Sequence, residues 1–153
     1  MSSPAFACVV DANVALKLFF AQPLSPQADG LFAQLEADAR TRFYVPDFFY
    51  AECVSALANY VRLANYPAAD AKQDMAELRA LSLHVTSTAD LAEDALEIAI
   101  AHRVSGYDAF YVALASQVNA PLITADEKLV RAMAGKYNVQ SLATFPTPPL
   151  AAE

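Results

Sequence analysis

Tryptophan is absent from this chain of 153 residues, glycine occurs three times, and cysteine and histidine twice each. So few glycines, in a chain that is 56% hydrophobic, exclude a long disordered arm. Cys8 and Cys53 form no C-x-x-C pair and no zinc spacing, and both lie in apolar runs. They read as reduced core residues. Positive charge is scarce too, with 10 bases against 17 acids and a net charge of −7. That balance argues against coating nucleic acid by bulk electrostatics, although a bound divalent ion inverts the field at an acidic site. No uncharged run makes a convincing membrane span. The longest, Ala109–Ala125, contains Ser116, Gln117, Asn119 and Pro121. The opening MSSPAFACVV lacks the basic region of a secretory leader. The expectation is a soluble, cytoplasmic protein with no membrane segment.

What is present is enough for one core. A chain of this length buries roughly 70% of its unfolded surface without staples. Short apolar runs at Phe6–Val10, Arg42–Val45, Leu83–Val85, Pro121–Thr124 and Val139–Leu142 predict five strands. Helices are expected between them: Ala12–Phe20, Pro26–Ala39, Phe48 to about Ala64 with Asp47 as its cap, and Pro67 to about Leu81. Three more follow: one opened by a Ser87/Asp90 capping box and reaching His102, one over Asp108–Val118, and one over Asp126–Ala134 with Gly135 as its end signal. Strands alternating with helices predict a three-layer α/β/α fold with a central five-stranded parallel sheet. Residues 1–145 read as a single domain and 146–153 as a C-terminal tail.

One acid breaks the apolar pattern. In FFYAECVSALANYV, residues 48–61, Glu52 is the single charged residue. Its neighbours on the same helix face, Phe48, Phe49, Ser55 and Ala56, include no cation. An unpaired carboxylate removed from water costs several kcal/mol, so it calls for a partner. In open α/β sheets the ligand crevice lies beyond the carboxyl ends of the strands. Asp11 and Asp126 fall there, and Asp108 follows a loop into a helix. Each aspartate taken singly is also a good helix cap. A set of Asp and Glu with no nearby His or Cys favours Mg2+ or Mn2+ over zinc. His84, in a strand, and His102, at a helix end, suit packing or surface roles.

The motifs VVDANVALK, VPDFFYAECVSAL, SGYDAFYVALA and PLITADEKL, in this order over Ala7–Phe145, resemble the PIN domain, and within it the VapC-like toxin endoribonucleases. The resemblance implies that Asp11, Glu52, Asp108 and Asp126 are the catalytic acids and metal ligands. It implies that Asn13 and Thr124 support them, Asn13 standing where Ser or Thr is also frequent. It further implies a Mg2+- or Mn2+-dependent cut of RNA by a metal-activated water, a homodimer, and a cognate antitoxin whose C-terminal segment blocks the site. Lys17, Arg103, Lys128 and Arg131 are candidate contacts to RNA phosphates, or else solvated surface charges. Two rivals stand beside this reading. One is a haloacid-dehalogenase-like phosphatase with Asp11 as nucleophile, but position 13 is Asn where an acid is wanted, and a well-placed lysine is missing. The other is a non-catalytic module that binds RNA or protein on the same fold.

Overall fold

The structure is a computed structural model, described here for residues 5–145. The tail predicted at 146–153 lies outside the described residues. Five strands form one sheet: β1 (Ala7–Val10), β2 (Arg42–Pro46), β3 (Leu83–Thr86), β4 (Leu122–Thr124) and β5 (Val139–Ser141). Every pairing is parallel and the order is β3-β2-β1-β4-β5. The chain steps outward from β1 to β3, then returns across β1 to place β4 on its other side. The reversal point is therefore between β1 and β4, where Val9 pairs with Leu122 and Val10 with Ile123.

Period-two alternation sends successive strand residues to opposite faces. Cys8, Val10, Phe43, Val45 and Ile123 pack on one face with α1 (Ala12–Ala15), α2 (Ser25–Ala37), α3 (Phe49–Ala64) and α4 (Ala68–Ala80). Val9, Tyr44 and Leu122 face the other way, against α5 (Ala92–His102), α6 (Gly106–Val118) and α7 (Glu127–Met133). The three-layer α/β/α expectation is met. Both cysteines are free and fully buried. Among the described residues no helix is long and apolar enough to cross a membrane.

Several helix boundaries differ from the sequence expectation. The first predicted helix stops at Ala15 and continues as a 3-10 turn over Leu16–Leu18. Asp47 does not cap α3. Its N–H is taken by the Thr86 carbonyl at 2.9 Å, which extends the sheet pairing, and its carboxylate turns to the Thr88 N–H at 3.4 Å. Phe48 takes the cap position with no side-chain cap bond. Its ring is edge-on to Tyr107, Phe110 and Tyr111 instead. Ser87 accepts from the Ala89 N–H and caps only a 3-10 turn, so α5 begins later, at Ala92. Asp108 does not open its helix either: α6 begins at Gly106, behind Ser105.

Candidate functional site: an acidic crevice at the sheet reversal

The crevice lies beyond the carboxyl ends of β1 and β4, as the reversal of strand order requires. Asp11 follows β1 directly and is 7% exposed. Its main chain is fixed by a 3.2 Å bond from its N–H to the Ile123 carbonyl, so the sheet sets its position. Its carboxylate accepts from the Asn13 N–H at 3.4 Å, which makes it the cap of α1. The other oxygen accepts from the buried Thr124 hydroxyl at 3.0 Å. Thr124 Oγ1 in turn accepts from the Asp126 N–H at 3.1 Å. One hydroxyl thus links the acid after β1 to the acid after β4. Asn13 Oδ1 accepts from the Ala125 N–H at 3.3 Å and holds the same loop from the α1 side. Asp126 caps α7 through the N–H groups of Lys128 and Leu129.

Glu52 and Asp108 come from the two helix layers. Phe49, Cys53 and Leu57 form the buried stripe of α3, and Glu52 sits half-buried beside it. Ser105 caps α6 by accepting the Asp108 N–H at 3.1 Å, which leaves Asp108 in the first helical turn. Tyr111 lies three residues further on the same face, 1% exposed, and its hydroxyl donates to Glu52 Oε1 at 2.6 Å. Tyr111 does not stand out in the sequence, because an aromatic residue in an apolar helix has the pattern of core. Its one available signal is the three-residue spacing from Asp108.

The charges act on one another. Burial pushes the Asp11 carboxyl up to about 7, opposed by its bonds to Thr124 and Asn13 and reinforced by the negative charges of Glu52 and Asp108. Burial also raises Glu52, which the Tyr111 hydroxyl partly offsets and Asp108 reinforces. Asp108 is raised by burial and then by Asp126, with Ser105 acting against both. The Tyr111 phenol is pushed far above its ordinary range, chiefly by burial and then by Asp11 and its bond to Glu52. Among the described residues no Lys or Arg figures in the charges acting on Asp11, Glu52 or Asp108.

The donor set suits a hard divalent cation: it is all oxygen, mutually repulsive and partly desolvated. The side chains do not form a closed cage, however. Among the described residues no three His, Cys, Asp or Glu converge as a ready-made metal group. An ion that keeps several of its waters does not need one. Of the candidate cations, Lys17 donates to Gln22 Oε1 at 2.9 Å, while Arg103, Lys128 and Arg131 are exposed.

The PIN domain family profile matches residues 8–135 of this chain. The chain belongs to the PIN domain family. Among curated relatives, this PIN domain is 30% identical over 125 residues to ribonuclease VapC3 of Pyrobaculum aerophilum, covering 79% of this chain and 90% of that protein. It is 34% identical over 121 residues to ribonuclease VapC9 of Mycobacterium tuberculosis, covering 79% and 87%. These relatives place it among the VapC-like members. Among solved structures it is similar to a crystal structure from Pyrobaculum aerophilum, with TM-score 0.68 and 22% identity over 92% of this chain and 93% of the other. It is also similar to a chain of a toxin–antitoxin complex from Klebsiella pneumoniae, with TM-score 0.60 and 20% identity over 88% and 97%. At those identities the structural likeness speaks for the fold.

Proposed function

We propose that this protein is a Mg2+- or Mn2+-dependent endoribonuclease and the toxin of a toxin–antitoxin pair. One observation carries the reading: the fold gathers Asp11, Glu52 and Asp108 into a mutually repelling, partly buried set, with no Lys or Arg among the described residues acting on it. Such a set is costly unless an ion or protons neutralise it. The VapC ribonuclease relatives support RNA as the substrate.

Asp11, Asp108 and Asp126 would hold the metal, directly or through water, and Glu52 would ligate it or orient the attacking water. When bound, a divalent cation stabilises charge on the non-bridging phosphate oxygens and makes water a better nucleophile near neutral pH. The chain supplies the rest. Thr124 and Asn13 fix Asp11 and the loop after β4, so the two sheet-borne acids keep their spacing. Tyr111 pins Glu52 through its donated bond and is a positioning residue. Exposed Arg103, Lys128 and Arg131 would meet RNA phosphates, so local charge offsets the acidic surface. The toxin–antitoxin complex among the structural neighbours supports a protein partner, and the proposal has the C-terminal segment of that antitoxin block this crevice. We include a homodimer in the proposal: the exposed Leu96 and Ile100, four residues apart on α5, offer it an apolar stripe. Sedimentation at twice the 16.4 kDa chain mass checks it.

The direct test is cleavage of unstructured RNA by the purified protein. Mn2+ should switch activity on, chelator should abolish it, and Asp108→Asn should lower it at least a hundredfold. Equal cleavage with chelator, or by the variant, would remove the assignment.

A further inference from the structure

On the solvent side of Glu52 a groove of about 500 Å³ opens along α3, walled by Phe48, Glu52, Ser55, Asn59 and Tyr107. Tyr107 is 63% exposed, yet its ring is braced. The Phe48 ring meets it edge-on at 5.1 Å, and Phe48 itself stands edge-on to Phe110 and Tyr111. An aromatic face that is both open and fixed loses little freedom when a planar ligand stacks on it. Along α3 the lining mixes Ala51 and Ala56 with the polar Ser55 and Asn59. Ser55 and Asn59 lie three and seven residues past Glu52, on one strip of the helix. Asn59 Oδ1 accepts from the Arg62 guanidinium, which leaves the amide N–H group of Asn59 available to donate. Arg62 is exposed, ten residues past Glu52, or about 15 Å along the helix.

The single charged wall residue is acidic, so the groove suits an uncharged planar group better than a phosphate. Its inner end is Glu52, which the proposed function places at the scissile bond. Unpaired RNA is read by this combination: bases stacked on aromatic rings and hydrogen-bonded along their edges. We propose that the groove is a base subsite, which seats one unpaired nucleotide next to the cleaved phosphate. The base stacks on Tyr107, Asn59 reads its edge, and Arg62 meets a phosphate further along the strand. The inference rests on the ribonuclease reading of the crevice and adds the residues that would seat one base beside it.

Two arms of one experiment separate the subsite from the chemistry. The first uses short RNAs carrying 2-aminopurine, bound without cleavage to Asp108→Asn protein. Fluorescence should be quenched at one position, quenched again with Tyr107→Phe added, and unquenched with Tyr107→Ala added. The second arm uses active protein. Tyr107→Ala should lower kcat/KM about tenfold, since stacking of a base on an aromatic ring contributes on that scale, and Tyr107→Phe should restore it. An abasic nucleotide at the quenched position should slow the wild type by a similar factor and slow Tyr107→Ala no further. Because Tyr107 is largely exposed, folding of the variants is not at risk. Unchanged quenching and cleavage in Tyr107→Ala overturns the subsite and leaves the groove to a protein segment. Quenching through Tyr107 by a wild type that cuts no RNA supports the subsite and removes the ribonuclease reading. Neither quenching nor cleavage overturns both.

Discussion

Asp11 is buried between two hydrogen-bond donors and two like charges, and this placement has a measurable consequence. Without a bound cation, burial pushes its carboxyl up from the ordinary 3.8 to about 7. Between those values the folded state holds a proton that the unfolded state has lost. Stability from this group is therefore full below about pH 4 and declines as pH rises to about 7. Glu52 and Asp108, also raised, act in the same direction. The size is on the order of a few kcal/mol for Asp11 alone. Thermal unfolding in chelator, followed from pH 4.5 to 8.5, should show wild type losing stability as pH rises. Asp11→Asn should give a flatter profile and the higher Tm at pH 8. Superimposable profiles would mean that Asp11 is not strained. Added Mn2+ should recover the loss in wild type and not in the variant. At this scale the sequence is informative where a residue breaks a pattern. Glu52 stands out because nothing on its helix face can pair with it. Tyr111 does not, because its partner lies 59 residues away in sequence and only the fold brings them together.

The site is assembled by helix ends as much as by side chains. α6 begins at Ser105, whose hydroxyl holds the Asp108 N–H and so sets where the Asp108 carboxylate enters the crevice. Ser105→Ala should cost about 1 kcal/mol, which is a fall of a few degrees in Tm for a chain of this size. It should also reduce RNA cleavage, and Ser105→Thr should recover both. A fall in Tm with undiminished cleavage would show that the cap does not position Asp108. The strands and most helices are legible in sequence because hydrophobic period and proline placement are local signals. Cap assignments are less so. Asp47 has the right residue type before α3, but β3 and the turn after it claim both its N–H and its carboxylate. Ser87 has a capping-box spacing, yet its hydroxyl closes only a 3-10 turn. In both cases a competing hydrogen-bond partner decides, and that choice is not written in the local sequence.

For the whole molecule, strand order is the fact that gives these residues a common location. With order β3-β2-β1-β4-β5, the ends of β1 and β4 are neighbours, and Asp11, Thr124 and Asp126 meet there although they span most of the chain. Residue types and motif order indicate which acids belong together. What they leave out is how tightly the acids converge, and the described side chains stop short of a closed metal cage. A net charge of −7 opposes approach of a polyanion over most of the surface, so a cation bound in the crevice would change both the chemistry and the local field. On the proposed function, the counter-charge that Glu52 lacks on its own helix is a divalent ion. This is tested most directly by titrating Mn2+ into the metal-free protein at pH 8 and following free Mn2+ by electron paramagnetic resonance. Wild type should remove the free-ion signal up to at least one ion per chain, and Asp11→Asn and Asp108→Asn should remove little or none. A wild-type signal that matches buffer alone throughout the titration would contradict it.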